Sequence, residues 1–280
     1  MTETTAAAEK PTLKDRVIRE LKEWGSTFAV FIPLFFVFSL LLYEQRVIPS
    51  ESMVPNLQVG DRVVVNKFAY GYSRYSVPWG VGRILPLGEG RLFKGEPKRG
   101  DVVVFMHPHF RRVMIKRVVG MPGDRIEIRG ERVILNDEEI PTSFARRHRY
   151  IPHGDSRPET AQEFRETIGD KTVLVHQLRK GQSGDNTPVF VVPQGHYFFM
   201  GDNRDNSKDA RDLSGHCPAN AAGVIDQAGC EPRVPARDAS VGFVPLDHLI
   251  GRAETVLFTT KRCRRGDGLD CPPKRLWRGL

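Results

Sequence analysis

The chain has 280 residues and a formal net charge of +8. Its length allows one large domain or two small ones beyond a membrane anchor. The basic residues are spread along the chain, and no nucleic-acid-binding motif accompanies them, so nucleic acid is not an expected partner. The charge suits either a solvated basic surface or contact with anionic membrane lipid.

The first element is an uncharged, apolar run of 20 residues from Trp24 to Tyr43. A helix of this length crosses a hydrocarbon core of ~30 Å. A buried core helix would carry a polar face. A cleaved signal peptide would have a shorter apolar core followed by a small-x-small site. Neither pattern is present, so the sequence predicts a retained transmembrane helix over residues 24–43.

The basic residues around this run predict its orientation. Those that precede it are Lys10, Lys14, Arg16, Arg19 and Lys22. Between the run and Asn56, Arg46 is the only one. Because cytoplasmic flanks are enriched in Lys and Arg, residues 1–23 are predicted to form a basic cytoplasmic segment. The rest of the chain is predicted to lie outside, in a single-pass protein.

The chain beyond the run is predicted to be mainly β. Short segments rich in β-branched residues, most of them bounded by Gly, Pro or Asp, are typical of strands. They are Arg62–Asn66, Asp101–Phe105, Val113–Val119, Arg125–Arg129, Arg132–Asn136, Val173–Val175, Val189–Val192, His196–Met200 and Glu254–Phe258. No long amphipathic helix follows the anchor, so we expect a transmembrane helix followed by an exported domain of several antiparallel β-sheets.

Two stretches differ in composition from these strand-rich blocks. Residues 137–188 are polar and irregular, and we interpret them as an insertion between residues 44–136 and residues 189–260. Residues 261–280 form a basic, Pro-rich tail.

All four cysteines fall in the part predicted to be exported. They are Cys217, Cys230, Cys263 and Cys271. An even number of cysteines in an oxidising compartment predicts disulfides, although the sequence leaves three connectivities open. Zinc is the alternative, but no C-x2-C spacing is present. We expect no metal and no cofactor.

Ser52 is a candidate nucleophile because it follows Tyr43 by only nine residues, which places it near a predicted membrane surface. A serine hydroxyl needs a base, yet no histidine lies in a triad-like block and the G-x-S-x-G motif is absent. A lysine can act as the base if burial lowers its pKa. Lys116 lies in a predicted strand, where such a residue is more often exposed, and Lys67 and Lys208 are rival bases.

Four blocks in a fixed order resemble the bacterial type I signal peptidases, which are serine endopeptidases with a Ser/Lys dyad. These blocks are Pro49–Leu57, Gly60–Lys67, Arg99–Asp124 and Gly201–Arg211. Together with the anchor, the resemblance covers most of residues 24–260. Any one block is weak evidence, but four blocks in order behind an anchor with a cytoplasmic N-terminus are specific.

The resemblance implies a role for each residue that matches the family's motifs. Ser52 attacks the scissile carbonyl. Lys116 is the general base and later protonates the leaving amine. The Ser50 hydroxyl and the Ser52 backbone N–H donate to the oxyanion. Lys67 and Lys208 match no catalytic lysine of the family.

Further residues match supporting parts of the family's site. Ser207 is expected to hold the Lys116 amine in place, and Asp209 and Arg211 match an ion pair that shapes the site. Two positions depart from the family: Glu51 stands where glycine is common, and Asn56 where threonine is common.

The resemblance also implies an apolar wall that admits only small side chains. Its residues are Ile48, Pro49, Met53, Leu57 and Ile115. The substrates would therefore be exported preproteins, cleaved after a small-x-small motif at the end of their signal peptides. The same wall would help to keep Lys116 neutral.

The resemblance therefore predicts a signal peptidase in the bacterial cytoplasmic membrane, with its catalytic domain on the extracytoplasmic side. Residues 44–136 and 189–260 would form that domain, and 137–188 would be a smaller inserted β subdomain of variable sequence, whose role stays open. Alternatives are a Ser/Lys peptidase for a specialised precursor, a non-enzymatic membrane-anchored β binding module, and a self-cleaving repressor. The anchor and the intact motifs disfavour the last two.

Overall fold

The computed structural model describes residues 13–77, 91–93, 95–215, 222, 224–225, 241–260 and 275–280. The chain divides into two compact units, Met1–Leu41 and Leu42–Leu280. All four cysteines lie outside the described residues, so the disulfides stay a prediction.

The described part of the first unit is one helix, α1 (Leu13–Leu41), with Pro33 inside it. Its stretch from Arg16 to Phe38 is long and apolar enough to cross a membrane. The helix begins well before Trp24, because residues 13–23 are mostly good helix formers. It ends two residues before Tyr43.

The second unit is built from β-strands joined by loops and short 3₁₀ turns. Its strands in the described part of the chain are β1 (Tyr43–Val47), β2 (Asp61–Asn66), β3 (Val102–Met106), β4 (Val113–Gly120), β5 (Arg125–Arg129), β6 (Arg132–Leu135), β7 (Glu138–Glu139), β8 (Thr142–Tyr150), β9 (Glu159–Ile168), β10 (Lys171–Gln177), β11 (Val189–Val191), β12 (His196–Met200), β13 (Val224–Ile225), β14 (Phe243–Pro245), β15 (Leu249–Thr259) and β16 (Arg278–Gly279). The 3₁₀ turns are Phe68–Tyr70, Ser183–Asp185, Ala210–Gly215 and Leu246–His248.

These strands form three sheets. The largest runs β1-β2-β15-β3-β4-β12-β14, with β16 added to β15. A second sheet has the order β13-β11-β5-β6-β7, and a third has the order β10-β9-β8. Among the described residues, every pairing between these strands is antiparallel except the two-residue contact of β11 with β13. The prediction of a mainly β protein with antiparallel sheets is confirmed.

The largest sheet holds the loop that carries Ser52. Along β2, Val63 and Val65 are fully buried, whereas the alternate residues are only half-buried, as expected for a strand with one face on the core. Ile48, Met53 and Leu57 pack against these valines in the same hydrophobic cluster. Burial of three apolar side chains on both sides of Ser52 fixes the loop on the sheet, since each contributes about 1.5–3 kcal/mol of transfer free energy.

The segment 137–188 contains more strand than its composition indicated. Strands β8 and β9 pair over most of their length although they are rich in Arg, Glu and Gln. Their backbone ladder and cross-strand ion pairs, such as Arg146 with Glu163 at 2.7 Å, hold the hairpin together. These strands and β10 form the three-stranded sheet, and the domain boundaries themselves stay a prediction.

Candidate active site

Ser52 lies in a loop that is tied to the sheet by its own backbone. The Ile48 N–H donates to Asp61 O at 2.9 Å, and the Gly60 N–H donates to Ile48 O at 2.8 Å. The Ser52 carbonyl accepts a hydrogen bond from the Asn203 N–H at 3.1 Å. The serine is 7% exposed, so it is held from two directions and shielded from bulk water.

Lys116 meets Ser52 although 64 residues separate them in the chain. Lys116 Nζ donates to Ser52 Oγ at 2.6 Å and to Ile115 O at 3.2 Å. The lysine lies on β4, where it pairs with Val103 of β3, and it is 3% exposed. In the neutral form of the amine, the same short contact lets Ser52 donate its proton to Nζ.

The surroundings of Lys116 favour its neutral form. Burial lowers the pKa of Lys116 from 10.5 to about 8, because the ammonium loses its hydration. The carboxylates of Asp209 and Asp202 oppose this shift, and the guanidinium groups of Arg112 and Arg211 reinforce it. A lysine with such a pKa is a workable base near neutral pH.

Ser50 lies beside the two reacting groups. Its Oγ is 3.5 Å from Ser52 Oγ, and its side chain is exposed to solvent. A hydroxyl that is free to rotate at this distance can donate to an oxygen of a substrate carbonyl bound at Ser52. The position fits the expected oxyanion donor, and the role itself stays a prediction.

Ser207 lies at the site but makes no hydrogen bond to Lys116. Its Oγ is buried, with no hydrogen-bond partner among the described residues. A Cβ added to Gly201 would lie 2.2 Å from Ser207 Oγ and 2.5 Å from Ser52 O, so all three positions are tightly packed. The expected positioning role of Ser207 is therefore not seen as a hydrogen bond in this state of the molecule, and it stays a prediction.

Asp209 and Arg211 form a buried ion pair, as expected from the motif. Arg211 Nε donates to Asp209 Oδ1 and its Nη2 to Oδ2, both at 2.9 Å. The Gly201 N–H donates to Asp209 Oδ2 at 2.9 Å. Burial alone would raise the pKa of Asp209, but Arg211, the Gly201 N–H and Lys116 outweigh it and lower that pKa. The carboxylate thus stays charged and anchors the Gly201 backbone.

A second buried ion pair, formed by Arg117 and Asp202, was not recognised in the sequence. Arg117 Nε donates to Asp202 Oδ1 and Nη2 donates to Oδ2, both at 2.7 Å. Asn56 Nδ2 donates to Asp202 Oδ2 at 2.8 Å and to Leu174 O at 2.7 Å. These bonds tie the Ser52 loop to β4, β10 and the last motif. Arg117 follows Lys116 in a valine-rich strand. A charged residue in such a strand indicates that a partner of opposite charge lies elsewhere in the chain.

The residues expected to form the apolar wall differ in exposure, and so do the two rival lysines. Ile48, Met53 and Leu57 are buried in one cluster with half-buried Ile115 beside them, whereas Pro49 is exposed. Lys67 is buried and forms an ion pair with Glu44, with Nζ 3.2 Å from Oε2. Lys208 is exposed. The lysine in contact with Ser52 Oγ is Lys116.

Three buried side chains of the inserted sheet, His148, Glu163 and His176, offer ligand atoms that lie within 4.8 Å of one another. Glu163 is already well bonded, however. Arg146 donates to both of its oxygens, at 2.7 and 3.1 Å, and His176 Nε2 lies 3.1 Å from Oε1. A bidentate guanidinium compensates the buried carboxylate, so the cluster is explained as an ion-pair network and no metal is assigned to it.

Comparison with known proteins shows the family to which this chain belongs. The model of the family described as signal peptidase, peptidase S26, matches residues 21–258. Signal peptidase I of Rickettsia massiliae (strain Mtu5) is 32% identical over 247 residues, which cover 86% of this chain and 80% of that protein. Signal peptidase I of Rickettsia typhi (strain ATCC VR-144 / Wilmington) is 31% identical over 248 residues, which cover 87% of this chain and 82% of that protein.

A solved signal peptidase I from Enterococcus faecalis V583 is 18% identical, with a TM-score of 0.28, and the match covers 56% of this chain and 96% of that chain. The family match over most of the chain and the relatives above 30% identity decide the assignment. This chain belongs to the signal peptidase family, peptidase S26, and is a membrane signal peptidase with serine endopeptidase activity.

Proposed function

We propose that Ser52 and Lys116 form the catalytic dyad that removes signal peptides from exported preproteins. The observation that carries this proposal is the 2.6 Å contact of Lys116 Nζ with Ser52 Oγ in a buried site. The neutral amine takes the Ser52 proton as Oγ attacks the scissile carbonyl. Ser50 and the Ser52 N–H stabilise the oxyanion. Lys116 then protonates the leaving amine, and water hydrolyses the acyl-enzyme.

An open strand edge supports the binding of an extended peptide beside the dyad. One edge of β4 pairs with β3 from Val113 to Arg117. The other edge pairs with β12 only from Arg117 onward, so residues 113–116 have no second partner among the described strands. A signal peptide can add a strand there, with its small side chains facing Ile115 and the rest of the apolar wall.

The location that we propose is the extracytoplasmic side of the bacterial cytoplasmic membrane. The apolar part of α1 is long enough to span the hydrocarbon core. The basic residues lie before this stretch and near its start, which favours a cytoplasmic N-terminus. Membrane lipid is then a constant neighbour of the protein, and preproteins held in the same membrane are its substrates.

Cleavage should depend on the size of the residue before the scissile bond. A preprotein with Ala at that position should be cut, and the same preprotein with Phe there should be cut about 10- to 100-fold more slowly, because a large side chain clashes with the wall. Phe one residue earlier, at the x position of the motif, is the matched control and should be tolerated. Cleavage would be followed by mass spectrometry of the products. Equal rates for all three substrates would contradict the proposed specificity.

The activity should rise with pH through the pKa of Lys116. Only the neutral amine can accept the Ser52 proton, and burial lowers the pKa of this amine to about 8. Below that pH, kcat/KM should fall about tenfold per unit, and above it the rate should level off. The profile of kcat/KM between pH 6 and 10 tests this, with unfolding monitored over the same range. A kcat/KM that is constant from pH 6 upward, or that rises only near pH 10, would contradict the assignment of Lys116 as the base.

A further inference from the structure

A polar pocket of about 390 Å³ opens next to the nucleophile loop. Glu51, the immediate neighbour of Ser52, forms part of its wall. The hairpin loop between β8 and β9 contributes His153 and Asp155, and the last motif contributes Asp205 and Asn206. A cavity of this size is in the range of ligand pockets, and neither the dyad nor the apolar wall makes use of it.

The pocket is lined by more negative than positive charge. Its four carboxylates belong to Glu51, Asp155, Glu159 and Asp205. Arg179 is the one arginine or lysine among the described residues of the lining, and it is paired with Glu159 at 2.7 Å. Glu51, Asp155 and Asp205 therefore have only His153 as a further basic side chain of the lining, so the pocket favours a cationic or polar ligand over an anionic one.

Hydrogen bonds hold two of these carboxylates in place. Glu51 accepts from the His153 N–H and, at 3.3 Å, from Asn206 Nδ2. Asp205 Oδ2 accepts from the Arg179 N–H at 2.8 Å. Glu51 thus joins the nucleophile loop to the inserted hairpin and to the last motif. Because these contacts are fixed in the folded chain, the charges are preorganised for a ligand.

The sheet indicates which part of a substrate reaches this pocket. The open edge of β4 at residues 113–116 includes Ile115 of the apolar wall, so the signal peptide occupies that stretch. From Arg117 onward, this edge of β4 pairs with β12. The chain that follows β12 leads to Asp205 and Asn206, which line the pocket. A substrate that continues past Ser52 therefore leaves the sheet edge on the side of the pocket.

We propose that this pocket binds the first residues of the mature protein, immediately after the scissile bond, and that its carboxylates select basic over acidic side chains there. Glu51 is the central residue of this selection, because it adjoins Ser52 and stands where the family commonly has glycine. The inference rests on the proposed function, since it concerns the same substrates and the same bond.

The test uses the full-length protein in detergent or lipid vesicles and three preproteins with one signal peptide. They differ only at the second mature residue, which is Lys, Gln or Glu. For the unmodified enzyme, kcat/KM should be about tenfold higher for the Lys substrate than for the Glu substrate, with Gln between them. The ratio should shrink as ionic strength rises, because salt screens partly exposed charges.

Two variants test whether the carboxylates of the pocket cause the preference for the Lys substrate over the Glu substrate. Glu51→Gln should reduce the Lys-to-Glu ratio by about threefold, and Asp155→Lys, a charge reversal on the exposed rim, should reduce it further. The matched control is Glu138→Gln, the same chemical change on the exposed strand β7 away from the pocket, which should keep the ratio of the unmodified enzyme.

The outcomes separate the inference from the proposed function. If the unmodified enzyme cuts all three substrates at equal rates, or if Glu51→Gln and Asp155→Lys leave the ratio unchanged, the pocket does not select mature residues. If none of the three is cut at the small-x-small site, the proposed function itself fails. The ratio is insensitive to a general loss of active enzyme, so a partly misfolded variant does not mimic the expected result.

Discussion

Ser52→Ala and Lys116→Met are each expected to lower kcat for preprotein cleavage by about 10⁴-fold or more. In the proposed mechanism Ser52 supplies the nucleophile and Lys116 the base, and the 2.6 Å contact of Lys116 Nζ with Ser52 Oγ makes them one functional unit. Because the effects of substitutions within such a unit are not additive, kcat of the double variant should be no lower than kcat of either single variant. Single-turnover cleavage at saturating enzyme measures this. The matched control is Lys208→Met, which removes an exposed lysine and should keep most of the activity.

Lys116→Met should not lower the free energy of unfolding. A loss of activity in this variant would therefore reflect the missing base and not a misfolded protein. The folded pKa of Lys116 is about 8 and its ordinary value is 10.5, so between these pH values the unfolded chain binds more protons and stability rises with pH. Below pH 8 the folded state holds a buried ammonium, which costs about 3 kcal/mol by this difference. Lys116→Met removes that penalty. Its Tm at pH 7 should equal or exceed that of the unmodified protein, and a large drop would contradict the assigned burial.

Much of the fold follows from local pattern, and the exceptions have physical reasons. Strands such as β2 and β3 are short, valine-rich and bounded by turn residues, so propensity and burial agree. Strand β8 is largely exposed, whereas β9 buries Glu163 and Glu166. These carboxylates are compensated by Arg146 of β8 and by Arg204 of the last motif. Composition alone cannot report such partners.

In the active site, too, some features follow from local sequence and others depend on the tertiary fold. Ser52 was a candidate because of its position after the apolar run, and the resemblance to a family singled out Lys116, which spacing alone left as an exposed strand residue. Its surroundings include the neighbouring strand β3, but also the Ser52 loop and the last motif, which are distant in sequence. Asn56 was noted only as a departure from the family, yet it bonds to Asp202 and to the Leu174 carbonyl. A hydrogen bond across such a distance depends on the tertiary fold.

The buried pair of Arg117 and Asp202 leads to the second large prediction. Asp202→Asn keeps the size of the side chain but leaves the Arg117 guanidinium buried without a countercharge. Both side chains are nearly inaccessible, at 3% and 2% exposure. Breaking a buried ion pair from one side costs about 3–5 kcal/mol. We therefore expect a loss of this size in the free energy of unfolding, measured by urea denaturation of the full chain in detergent.

An exposed ion pair of the same length provides the control for this prediction. Arg129 Nη2 and Glu127 Oε2 also lie 2.7 Å apart, but the arginine is 67% exposed. Glu127→Gln should therefore change stability far less than Asp202→Asn, because water already solvates the partner that remains. Equal losses for the two variants would show that the short distance, and not burial, sets the strength of these pairs. A larger loss at Asp202 would instead show that burial sets the strength of this pair, which joins β4 to the last motif beside Lys116.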